Sequence, residues 1–153
     1  MRRAPSLPFA LALLLASLPA CGVGSLRVAP VHPTFEVRFV ASGEEGERME
    51  RFGAGEPLIL ERQVLLDANR VREVQLERRP DNLELVVLAF DDPGREALAT
   101  FTGDAEGRRL AIVVRGRIVS APTLRGPITD GVAHIAAENE AAAIFEALTA
   151  ENR

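Results

Sequence analysis

The sequence predicts an α+β domain, a mostly antiparallel or mixed sheet of short strands with two helices packed on one face. Three observations carry that expectation. Short apolar or alternating segments recur from Phe35 to Ile135, each closed by Gly, Pro, Asn or Asp. Most are only a few residues apart, which antiparallel neighbours permit and parallel neighbours do not. Two further segments, one after Asp91 and one near the C-terminus, space their apolar residues as a helix does. The chain of 153 residues is one domain's worth of core. With 5% aromatics and no Trp or Tyr, that core is built from Leu, Val, Ile, Ala and Phe.

The N-terminus opens on Arg2-Arg3, then an apolar run over residues 7–18 that is too short to span a bilayer. It ends in Leu18-Pro19-Ala20-Cys21-Gly22. A small residue before Cys, with Leu three positions ahead, resembles the bacterial lipoprotein processing signal. The resemblance implies cleavage between Ala20 and Cys21 and acylation of the Cys21 thiol. Two or more acyl chains give stable anchoring, because each buried CH₂ contributes about 0.8 kcal/mol. Cys21 is the single cysteine, so no internal disulfide competes for it. Gly22 after the Cys resembles an outer-membrane address under the enteric sorting rule. Residues 1–20 are thus expected as a lipoprotein signal peptide and residues 21–34 as the lipidated Cys and a flexible tether. Residues 35–150 are expected as the domain. Loss of Arg2 and Arg3 moves the net charge from −4 to −6.

The tether contains Gly, Ser and two prolines without helical period, and His32 within it is expected to be solvated. Residues 35–40 alternate, with Phe35, Val37 and Phe39 on one face, and predict a half-buried strand. Residues 42–50 are rich in Glu and Gly. They lack the alternating oxygen ligands of a calcium loop and are expected as a solvated loop. Short strands follow at 57–60 and 63–66; the spacing of Val71, Val74 and Leu76 fits a strand at 73–77 or a brief helix, and a polar hairpin loop follows at 78–82. Residues 83–90 are nearly all apolar and predict a central strand. Asp91 or Asp92 caps a helix with Pro93 in its first turn, and Gly103 stops it.

Residues 110–114 are fully apolar and β-branched, as suits a strand buried on both faces. Arg115-Gly116 then predicts a type I′ hairpin into residues 117–120, although Arg is a poor choice where φ is positive. Pro122 ends that strand, and Gly126-Pro127 breaks the chain again. A last strand covers residues 132–135. Residues 139–150, with Asn139 as the N-cap, form the closing helix.

The stretch from Ala111 to Ile135 also resembles the head region of the first periplasmic domain of SecD, the membrane subunit that assists protein export. Gly116, Val119, Ser120, Ala121, Pro122, Ile128, Thr129, Gly131 and Ile135 match that pattern. Arg115 stands in place of the usual Asp, and Asp130 in place of a common Gly. Upstream, Phe90-Asp91, Gly94 and Phe101-Thr102 resemble the same family's strand-then-helix element. The resemblance implies a non-catalytic module that holds polypeptide or an envelope partner, by strand addition or in an apolar cleft. Thr123, Leu124, Arg125 and Ile128 are the candidate partner-binding residues. The family places its proton-driven step in membrane-embedded segments, so no energy coupling is expected of this chain.

The residues leave a second class open, a structural or regulatory envelope lipoprotein with one partner, unrelated to export. Enzyme classes find little footing. Ser120 lacks a Gly-x-Ser-x-Gly context, and neither a His-Glu-x-x-His motif nor a phosphate-binding Gly loop is present. No metal or cofactor is expected. All basic side chains other than two His are Arg, which a GC-rich genome would produce. The negative net charge and scattered arginines argue against nucleic acid.

Overall fold

A computed structural model of the chain describes residues 26–136 and 140–149. The α+β expectation holds, with the strands divided among several sheets. The first has four antiparallel strands in the order β1-β6-β7-β10, namely β1 Arg27–Ala29, β6 Val71–Arg78, β7 Glu84–Phe90 and β10 Val132–Ala136. The second has the order β5-β2-β8-β9, from β2 Glu36–Phe39, β5 Leu66–Asp67, β8 Leu110–Val114 and β9 Arg117–Ser120. The strands β3 Glu47–Met49 and β4 Leu58–Leu60 form a separate antiparallel ribbon.

That ribbon closes a ring. Val40, just past β2, bridges Leu60 of β4, while Arg51, just past β3, bridges Ile118 of β9. The pairings therefore run β2-β8-β9-β3-β4 and back to β2. Met49, Leu60, Ala111, Val113 and Ile118 fill the ring's interior. Gly46 lets β3 approach β4, since a Cβ on it would lie 2.3 Å from the Leu60 carbonyl oxygen. On the rim of the ring, Arg38 of β2 lies between Glu36 and Glu47. Burial disfavours its charge, but hydrogen bonds to the two carboxylates outweigh that and raise its pKa above the ordinary value.

β8 is the shared wall, because successive side chains of a strand point to opposite faces. Ala111 and Val113 turn into the ring, while Leu110, Ile112 and Val114 turn into the main core. In that core they meet Phe35, Val37 and Phe39 of the β2 segment, Val74 and Leu76 of β6, and Val86, Leu88 and Phe90 of β7. Helix α1 (Asp92–Thr102) adds Leu98, and helix α2 (Ala141–Thr149) adds Ile144, Phe145 and Leu148 to the same core.

Local chemistry explains several boundaries. Asp91 Oδ1 accepts from the Gly94 N–H at 2.7 Å and caps α1, with Pro93 in the first turn. Asp92 is exposed and pairs with Arg95 one turn on, so both aspartates serve the helix start. Arg115 and Gly116 have φ of +53° and +67°, the two positive angles that a type I′ turn requires.

Four expectations are corrected. The 22–34 stretch is not structureless through its second half. Arg27–Ala29 pairs with Val74 to Leu76, and Arg27 reaches Glu146 at 2.7 Å with its guanidinium over the Phe145 ring. His32 is buried rather than solvated. Its Nε2 accepts from Arg115 Nε at 3.0 Å, and its Nδ1 lies 2.8 Å from Thr34 Oγ1 and 3.2 Å from the Thr34 N–H. The expected 42–50 loop ends in β3, because only Met49 of that strand is buried and its pattern is too short to show. The strand expected at 63–66 is found later, as β5. Ala20, Cys21 and Asn139 lie outside the described residues.

Candidate functional site: a groove at an open sheet edge

The loop between β9 and β10 is pinned at both ends and along its middle. Leu110 N donates to Pro122 O at 2.9 Å, and Arg109 Nε donates to Ala121 O at 3.1 Å. Leu124 is buried in the main core, donates its N–H to Arg108 O at 2.8 Å and accepts from Gly107 N at 2.9 Å. Ile128 is half-buried and donates its N–H to Thr102 Oγ1 at 2.9 Å. Thr102 is fully buried, and its own hydroxyl donates to Leu98 O. Thr102 thus braces the wall of the candidate site, a role that spacing did not single out. Its signal was faint, a hydroxyl at the end of an apolar helix face. Arg108, stacked on the Phe39 ring and paired with Glu61, braces the neighbouring segment.

A groove of about 770 Å³ runs between this loop and β10. Its floor is Leu110 and Ile112 of β8, one wall is residues 122–128, and the other is Ala133, His134 and Ile135. The structure brings all four sequence-derived candidates to it, in different roles. Thr123 and Arg125 are exposed on its rim, whereas Leu124 and Ile128 fasten the loop and line the inside. His134, exposed on the opposite rim, joins them.

Among the described residues β10 is an edge strand with one partner, β7. Phe90 N donates to Gly131 O at 3.0 Å, so by antiparallel alternation Ala133 and Ile135 also bond toward β7. The N–H and C=O of Val132 and His134 then face away from β7. Asp130 Oδ1 occupies the Val132 N–H at 3.1 Å, leaving His134 to present a donor and acceptor at the open edge. This geometry suits an extended chain. Such a chain would pair its backbone along β10 and set alternate side chains in an apolar slot. His32 and His134 have separate settings, one in the Arg115 cluster and one on the groove rim. Among the described residues no group of three or more His, Cys, Asp or Glu side chains could hold a metal ion.

The fold and groove define a small α+β domain of antiparallel sheets with an open sheet edge beside the groove. Residues 44–152 match the model of the SecDF P1 head subdomain, and the chain belongs to that family. It is similar to the protein translocase subunit SecD of Treponema pallidum, 35% identical over 74 residues, which is 48% of this chain and 13% of that protein. It is 34% identical over 83 residues to SecD of Desulfurispirillum indicum, covering 54% of this chain and 16% of that one. The chain thus spans about one-seventh of the curated relatives it matches. Two solved structures share the fold. One, described as a membrane component SecDF that enhances protein export, superposes with a TM-score of 0.56 at 22% identity, covering 81% of this chain and 70% of that one. The other, SecDF in its super-membrane-facing form, gives 0.57 at 21% identity, covering 78% and 19%.

Proposed function

We propose that the protein is a periplasm-facing lipoprotein whose domain binds extended polypeptide without catalysing a reaction, as an accessory to protein export. The groove beside the open edge of β10 carries this reading. It offers backbone pairing at His134 for affinity and an apolar slot for alternate side chains, with Arg125 and Thr123 at the rim. The membrane attachment in this reading rests on the Ala20-Cys21 signal. Among the described residues, no helix is long and apolar enough to cross a membrane.

Photocrosslinking tests the groove. A photoreactive amino acid replaces Thr123, Arg125 or, as a control, Val64, which lies elsewhere on the surface. An unfolded, alkylated protein serves as client. Crosslinks at 123 and 125 but not at 64 support the reading, and equal crosslinking at all three removes it. Recovery of one folded envelope protein in place of unfolded clients points to the structural or regulatory alternative. Radiolabelled palmitate on Cys21 is the separate test of the anchor.

A further inference from the structure

β1 and β10 are the two opposite edges of one sheet. The chain enters the domain at β1, and Leu26 is only the fifth residue after Cys21. At full extension those residues reach about 17 Å. Among the described residues four large apolar side chains are exposed, and two of them, Leu26 at 54% and Val28 at 51%, lie at this entry. Arg27 faces inward, opposite Leu76, toward α2. Alternation therefore turns Leu26 and Val28 to the outer face, away from the core. The register places Arg27 beside Leu76, so Leu26 enters next to Glu77, close to the β6–β7 hairpin with its exposed Arg79.

We propose that the β1 edge, through Leu26, Val28 and the Arg79 hairpin, rests on the surface of a lipid bilayer. This leaves the β10 groove facing away from it. The proposal rests on the reading of Cys21 as the lipid anchor. Aliphatic side chains held this close to an anchored residue partition into the headgroup boundary, and a nearby Arg interacts with anionic headgroups. The approach is edge-on rather than flat, because the outer face also carries Glu73 and Glu77, which anionic lipid repels. Three strand spacings then lift β10 about 14 Å above β1. The groove is accordingly offered to chains in the periplasm and not to the bilayer.

The full-length chain, processed in the cell, is reconstituted into vesicles of phosphatidylethanolamine and phosphatidylglycerol. Val28→Cys, Val64→Cys and His134→Cys are each labelled with an environment-sensitive fluorophore and exposed to a lipid-borne nitroxide. Quenching about threefold stronger at position 28 than at 64 or 134 is the expected result. Equal quenching at all three, with Cys21 blocked to labelling in the unsubstituted chain, overturns the orientation and leaves the anchor standing. Labelling of Cys21 itself in the unsubstituted chain shows a free thiol and overturns the anchor together with this proposal.

Discussion

In the ring of β2, β8, β9, β3 and β4, every strand has a neighbour on each side. In the sheet β1-β6-β7-β10, the outer two strands have one neighbour each among the described residues. β8 walls both regions, with one apolar cluster on each of its faces, yet the ring abolishes edges and the sheet keeps them. An unpaired edge is a template for another chain, which a closed ring cannot offer. Under the proposed function, the difference puts partner capture on the sheet and leaves the ring as the rigid support behind the groove floor.

The sharpest way to break that comparison is to empty each core in turn. Leu88→Ala, in the central strand of the open sheet, is expected to cost about 3–5 kcal/mol, because Leu88 is fully buried. Ile118→Ala in the ring should cost about 2–4 kcal/mol by the same cavity argument. Urea denaturation followed by two probes measures both. One shared transition is expected, and a separate early transition for Ile118→Ala would show the ring to be an independent unit.

Gly46→Ala attacks closure directly. The added Cβ meets the Leu60 carbonyl oxygen, so β3 must move off β4, at about 2 kcal/mol. Faster amide exchange in β3 and β4, with β7 unchanged, is the expected reading. Thr102→Val keeps the shape of α1 but strands the Ile128 N–H, at about 1–2 kcal/mol. It should weaken client binding beyond its effect on stability, since it loosens the groove wall. A binding titration at a temperature where the variant is fully folded separates the two effects. Gly116→Ala, in the turn beyond both cores, meets no neighbouring atom and suffers only its positive φ, at about 1 kcal/mol, with client binding unaltered.

What could be read in the sequence was whatever nearby residues decide. The apolar run of β8 declared its two buried faces, Asp91 declared a cap, and Arg115-Gly116 declared a turn through the one conformation that joins such strands tightly. β1 and β3 escaped because each is three residues long and exists through a distant partner, Leu76 for Arg27 and Leu60 for Glu47. His32 looked solvated because the group that buries it, Arg115, lies 83 positions away. The candidate loop was legible from its prolines and glycine. Its apposition to the β10 edge depends on α1 and Thr102 and could not be read from spacing.

The His32 cluster has a mechanical consequence. Tension on residues ahead of Leu26 first loads the β1 ladder, where three residue pairs can open in succession, like a zip fastener. It next meets His32, held at once by Arg115, by Thr34 and by its own N–H on the Leu148 carbonyl. These bonds must fail together. A tug on the N-terminal end should therefore peel β1 away, lengthen the leash by about 20 Å over six residues, and stop at the histidine with the core still folded.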